Sequence, residues 1–522
     1  MNAPDFSNRW LIRGRLRTLS ELHIGDGGSG GLYDRHRPPQ KDEIATQTVC
    51  VDAPGRAFIP GSSIKGILRS SLDPRHSNVW TELFGSIDAS ALDAVGGKLS
   101  FFDAFLLSPN SPNNFSSSDP NRNQTRLARQ PDSDLLQPYW DPVRHTCVAT
   151  SVSIDRRTRT AEDQLLFHHE YVPPGTDFEV TLAGEGLSPV EVQTLLDQIN
   201  QAASEATPLT MGGRGSRGWG RMTWRLEGVH MLEREGLSRW IADGAPSTGW
   251  SICTTHGHPW AYSPNKVSAE RSHVTFDLRL EFSGPLLVRD ARQADRVAEW
   301  KKTHGDSNHD DRHRPTGKQK ETAPPPTAVP MKNAWGTYQI PGPAVAGVLR
   351  SHAERILRTL GQEIPAHHEQ PTFSTEEGPA QMNLIALLFG VPGWKAPFTC
   401  NTLATAILPQ EFAAIDRFTG SVAGHKKFKT EAIVGAEMSG TLSLHLHRLP
   451  ESRRTEALHL LSLLFRDLTE QDLCFGSGAA KGYGLCTTAS GTVSSPDDPP
   501  TTLDAWVQSH LSRSAAPGPC HA

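Results

Sequence analysis

Arginine gathers where the chain is richest in glycine. Gly212-Gly213-Arg214-Gly215-Ser216-Arg217-Gly218-Trp219-Gly220 sets two guanidinium groups and an indole into a glycine loop, with Arg221 and Arg225 just beyond. Glycine lets a backbone approach a phosphate chain closely, and arginine supplies bidentate charge. The indole of Trp219 can stack on a base or pack under a sheet. The loop lacks a Gly-Lys-Ser/Thr ending and leads into a strand, which excludes a Walker loop and a dinucleotide fingerprint. A second set of groups opens a helix: Ser62 and Ser63 follow Ile59-Pro60-Gly61, Lys65 lies one turn in, and Arg69 closes the run. Free N–H groups and the dipole make such an N-terminus a seat for phosphate, and the alternative is a cap with no ligand. A third set, Arg156, Arg157 and Arg159, falls at the tip of a β-branched hairpin running from Thr150 to Val172. These charges would grip RNA or else decorate a solvated edge.

The elements that carry these groups occur twice. Ile59-Pro60-Gly61 to Leu68-Arg69 returns as Ile340-Pro341-Gly342 to Leu349-Arg350. Leu83-Phe84-Gly85 returns as Leu388-Phe389-Gly390, and Ile154-Asp155-Arg156 as Ile415-Asp416-Arg417. The glycine loop returns as Gly476 to Gly484, where only Lys481 and Tyr483 remain of its cationic and aromatic groups, while Lys426 and Lys427 stand near the second hairpin. Four landmarks in one order, twice, imply a duplicated domain. Each half reads strand, loop, helix, strand, hairpin, strand, helix, glycine loop, strand. That order predicts an α+β fold, two tandem ferredoxin-like domains with an antiparallel sheet and helices on one face. The expected boundaries are 1–228 for the first domain, 229–272 for a linker, 273–490 for the second domain and 491–522 for a Ser/Pro-rich flexible tail. Segments 108–142 and 289–329 read as long loops.

A chain of 522 residues exceeds one ordinary core. Its net charge of −5 excludes a uniformly basic coat, so a nucleic-acid site must be a local surface. No apolar run is long enough to cross a bilayer, Met1 to Arg13 has no signal core, and the seven cysteines follow no disulfide framework. A cytoplasmic protein with reduced thiols is expected. His304, His309, Asp310, Asp311 and His313 form a metal-like but polar tract.

Leu22-His23-Ile24-Gly25, Ile59 to Gly66, Ile154-Asp155-Arg156 and Gly212 to Gly220 together resemble the RAMP superfamily (repeat-associated mysterious proteins). Within it, the chain is similar to the backbone subunits of type III CRISPR effector complexes, and the duplication resembles a tandem fusion of the type III-D kind. The resemblance implies an RRM-like core with a thumb hairpin, binding to crRNA and target RNA, and neighbouring effector subunits as partners. It also implies that a loop Asp before the Ile-Pro-Gly turn cuts target RNA with a divalent ion, Mg2+ or Mn2+. Counting back places that position near Thr46 and, in the second copy, Thr327. Neither is acidic, so Asp42 and Asp26 are the candidate catalytic residues. The metal ligands are not identified by sequence. Two alternatives stay open: a catalytically inactive RNA-binding scaffold, and a pre-crRNA processing endoribonuclease using His168-His169 as general acid and base.

Overall fold

The computed structural model describes residues 6–41, 43–71, 77–86, 96–107, 136–155, 158, 160–204, 207–246, 249–265, 273–304, 325–365, 372–374, 378–405, 409–413, 429–496 and 498–514. Each half grows from one central strand. In the first, β1 (Asn8–Thr18) buries Trp10, Ile12 and Leu16 on one face, the period-two pattern of a strand with helices on one side. After it come β2 (Gly25–Gly30), β3 (Thr46–Val49), β4 (Phe58–Ile59), α1 (Gly61–Ser71), α2 (Ser77–Phe84), β5 (Leu99–Phe101) and β6 (Ala104–Leu106). A hairpin of β7 (Cys147–Ile154) and β8 (Ala161–Tyr171) follows, then β9 (Asp177–Glu185), α3 (Pro189–Ala202), β10 (Leu209–Thr210) and β11 (Arg221–Glu233). The sheet order is β10-β11-β1-β9-β6-β4, all antiparallel, with β5 also on β9. A strand flanked by its two sequence-distant partners is the ferredoxin-like arrangement. β2 and β3 join the hairpin in a separate four-stranded sheet, in which β3 runs parallel to β8.

The second half repeats the plan around β13 (His273–Phe282), which buries Val274, Phe276, Leu278, Leu280 and Phe282. Its elements are β14 (Tyr338–Ile340), β15 (Phe398–Cys400), β16 (Leu403–Thr405), β19 (Ala436–His445) and β20 (Thr488–Ser494), in the order β14-β16-β19-β13-β20. Helices Gly342–Thr359, Leu384–Phe389 and Glu451–Thr469 correspond to α1, α2 and α3. Each half has its own large core.

Three expectations are corrected. The stretch read as a linker is folded onto the first half: β11 runs on to Glu233, helices follow at Arg234–Ala242 and Ile252–Thr255, and His258–Pro259 pairs with β11. Leu232, Ile252 and Cys253 bury against Leu11 and Ala183, on the sheet face away from α1. The described part of the predicted flexible tail, up to Ser514, is likewise structured. β20 is hydrogen-bonded to β13, and the helix Leu503–Ser514 places Leu503, Trp506 and Val507 in the core at helical spacing. Part of 289–329, read as loop, is the helix Arg292–His304. Most of 108–142, and the tract from 305 to 313, lie outside the described residues.

The halves touch through the first glycine loop. Gly218 lies against Cys400 and Asn401, and the carbonyl of Arg217 lies against Gly342. Nearby, the Tyr139 hydroxyl bonds Asp295, and Arg296 Nη2 donates to the Gln137 carbonyl at 3.1 Å.

Candidate nucleic-acid interface

The glycine loop is held by the segment that follows β1. Gly213 N donates to the His23 carbonyl at 2.8 Å and Gly220 N to the Glu21 carbonyl at 2.7 Å. This fixes Arg214 in the left-handed region, at φ 63°, a conformation that costs a non-glycine residue energy and that its surroundings must enforce. Its guanidinium stands 5.1 Å from the Trp219 ring and 5.2 Å from the Phe167 ring. Trp219 itself is 5% exposed and packs on Tyr171 and His169. Of the two roles open to this indole, the structure gives it packing: it supports Arg214 rather than offering a face to a base.

Beside Arg214 sits an imidazole pair. The rings of His23 and His169 are 5.7 Å apart and edge-on, and His23 Nδ1 donates to the Glu170 carbonyl at 2.7 Å. Burial, then Arg214, His23, Arg217 and His168, push His169 down to about 3. Burial and Arg217 push Arg214 down to about 10. Among the described residues, Arg214 Nη1 and His169 Nδ1 are both buried with no hydrogen-bond partner. Buried donors are normally satisfied, and like charges held together normally have a counter-charge. An orphaned guanidinium N–H of Arg214, next to Arg217 and an unpartnered imidazole nitrogen, describes a seat for an anion, and for a chain of phosphates if it extends to exposed Arg217.

The start of α1 is different from the expected phosphate seat. Gly61 N already donates to the Asp103 carboxylate at 2.8 Å, so the protein supplies its own anion there. Ser62 is exposed, and Ser63 and Lys65 are half-buried, so these three remain on the surface next to that carboxylate. Arg69 makes an internal tie: its Nη2 donates to the Gly85 carbonyl at 2.6 Å. The copy repeats this, with Arg350 Nη1 donating to the Gly390 carbonyl at 3.0 Å. The recurring Leu-Arg and Leu-Phe-Gly landmarks are therefore two ends of one bond.

Arg156, Arg157 and Arg159 lie outside the described residues, as do Lys426 and Lys427. The hairpin below the first three is described, and it exposes Val152, Ile154, Leu165 and Leu166. At its base, fully buried Glu170 accepts from Arg144 (2.7 and 3.0 Å), Arg35 (3.3 Å), Thr146 Oγ1 (2.6 Å) and Val49 N (2.9 Å). Sequence reasoning missed this hub. Glu170 looks like one more polar residue of an alternating strand, and its partners come from three separate segments. In the second half, Lys481 is exposed, while Tyr483 is half-buried against Leu287, Ala328 and Ala432.

Of the candidate carboxylates, Asp42 lies outside the described residues. Thr46 is a fully buried residue of β3, paired with His168, and so is no open catalytic position. Asp26 Oδ1 accepts from Gly28 N and Thr48 Oγ1, both at 2.7 Å, and the residue is exposed. Burial and the carboxylates of Asp26 and Asp103 push the Cys50 thiol up. One free carboxylate oxygen among hydroxyl and water-accessible surroundings suits a Mg2+ that keeps most of its waters and takes the rest from phosphate. The His/Asp cluster His352, Asp467 and Asp472 lies elsewhere and is crossed by Arg355 and Arg466.

The sequence model of the RAMP superfamily matches residues 15–223 and again residues 279–487. The chain belongs to the RAMP superfamily. The two matches coincide with the two sheets, so it is a tandem fusion of two RAMP domains. RAMP membership supports a CRISPR-associated, RNA-binding subunit that assembles with others. No curated protein matches the chain. Among the described residues no helix is long and apolar enough to cross a membrane.

Proposed function

We propose that this RAMP fusion is a double backbone subunit of a type III CRISPR effector, of the III-D kind, that holds crRNA and pairs it with target RNA. The observation that carries this reading is the orphaned pair Arg214 Nη1 and His169 Nδ1 beneath a cluster of cations. RNA phosphate satisfies the Arg214 donor and neutralises the arginine cluster. The exposed apolar side chains of the β7–β8 hairpin are suited to wedging a duplex that the basic tip steers. Replacing Arg214 and Arg217 together is expected to weaken guide retention more than tenfold at about 0.1 M salt and to lower the salt slope by roughly two. Unchanged retention in a folded variant would remove the glycine loop from the function.

Target cleavage is the finer part of the proposal. Asp26 or Asp42 would hold Mg2+ or Mn2+, which supplies charge stabilisation when bound. The chain's own part is to fix the carboxylate, which Thr48 and Gly28 do for Asp26. Asp26→Ala and Asp42→Ala, each tested in the guide-loaded complex with magnesium, should remove a target cut and leave binding intact. An unchanged product ladder in both favours the inactive scaffold.

A second reading, metal-free cleavage of precursor RNA, rests on the adjacent His23 and His169 rings and requires bound phosphate to raise His169 from its value near 3. Scission of precursor in the presence of a chelator, lost in His23→Ala, would establish it.

A further inference from the structure

The second half carries a cationic corner that the duplication does not explain. At the start of β1, Arg9 is neutralised by Glu185, the last residue of β9, at 2.7 Å. At the corresponding end of the second sheet, His273 pairs across the strands with His445, the last residue of β19. His445 contacts His447 (rings 5.8 Å apart), and Arg448 Nη2 donates to the Lys395 carbonyl at 2.7 Å. Among the described residues no carboxylate lies within ion-pair distance of Lys395, His445 or Arg448. Burial, then His273, His447, Lys395 and Arg448, push His445 down to about 3.

An aromatic groove opens at this corner. It has room for about 450 Å³ and is lined by Pro379, Trp394, His447, Arg448, Leu449 and Pro450. The Trp394 ring lies 5.3 Å from the Phe373 ring and 5.7 Å from the Arg448 guanidinium. Lys395 is exposed, and its Nζ reaches to 3.4 Å from the Cβ position of Gly215, inside the first glycine loop. Arg217 is exposed on that same loop.

We propose that Lys395, Arg448 and Trp394 form a second contact for single-stranded RNA, in which phosphates run from the Arg217 loop across Lys395 and a base enters the Trp394 groove. This rests on the reading that the first glycine loop binds RNA. Cations without counter-charge beside an aromatic slot of nucleotide size are the two components of a single-strand site. A groove for a protein helix would more suitably be apolar along its length, and this one has Arg448 in its lining and Lys395 next to Trp394 in the chain.

The test uses the full chain and a fluorescent single-stranded oligoribonucleotide of mixed sequence. Lys395→Ala, on an exposed side chain, is combined with Arg448→Lys, which keeps a donor for the Lys395 carbonyl. The pair should weaken binding about three- to tenfold and lower the salt slope by about one. Ultraviolet cross-linking of the wild type to a thiouridine-bearing probe should mark the peptide around Trp394 or His447. If the pair leaves affinity, slope and cross-links unchanged while Arg217→Ala weakens binding, the corner is excluded and the glycine loop stands. If the wild type binds no oligonucleotide, both readings fall together.

Discussion

The carbonyl of Arg217, in the glycine loop of the first RAMP domain, lies against Gly342, in the Pro-Gly turn of the second, where no side chain would fit. The two motifs that recur in the duplication are thus in contact across the joint. Gly342 keeps its identity in the second copy, although the serines and lysine after it are lost, and this contact supplies a reason.

The joint is testable from the other side. Gly218 has φ 84°, and an added Cβ would press on Asn401 Cα at 2.9 Å and Cys400 O at 3.0 Å. Gly218→Ala should cost about 1–2 kcal/mol for the backbone alone. The clash should uncouple the halves, so that calorimetry resolves separate transitions where the parent shows a more cooperative one.

Arg69→Ala should act on stability rather than on RNA. It leaves the half-buried bond to the Gly85 carbonyl unmade, at a cost of about 1–3 kcal/mol. Chemical denaturation should show that loss, and oligonucleotide affinity of the folded variant should match the parent. A drop in affinity at constant stability would restore Arg69 to the RNA surface.

Glu170→Gln should be severe. It leaves the guanidinium groups of Arg35 and Arg144, both buried, with their main counter-charge gone, which costs about 3–5 kcal/mol. Limited proteolysis should then open the segment around Arg35, because Glu170 is what ties it to the hairpin.

Acid should destabilise the protein through two histidines. His169 and His445 are both held near 3, below their ordinary value of 6.5. Both are neutral when folded, so the unfolded chain binds more protons between those limits, and stability falls as pH drops from about 6.5 toward 3. His169→Asn with His445→Asn should flatten that slope in denaturant titrations at stepped pH. Phosphate beside His169 favours its charged form, so RNA binding should take up protons and tighten as pH is lowered below about 6.5 toward 3.

The sequence alone determined the duplication, the order of elements and the class of fold, because glycine, proline and period-two apolar patterns are local signals that each half writes separately. Ile59-Pro60-Gly61 and Leu83-Phe84-Gly85 could be seen to recur, but not that Arg69 and Arg350 bind the carbonyls closing the second motif. The tail was misread because its Ser/Pro composition outweighed one Trp506 that a distant sheet buries. Tertiary structure decided which charges lost their partners. Arg214 and Lys395 are far apart in sequence, and only the contact between the halves brings the Gly215 loop and Lys395 together. A cation's counter-charge is set by distance in space, and that distance is settled by packing rather than by the order of residues.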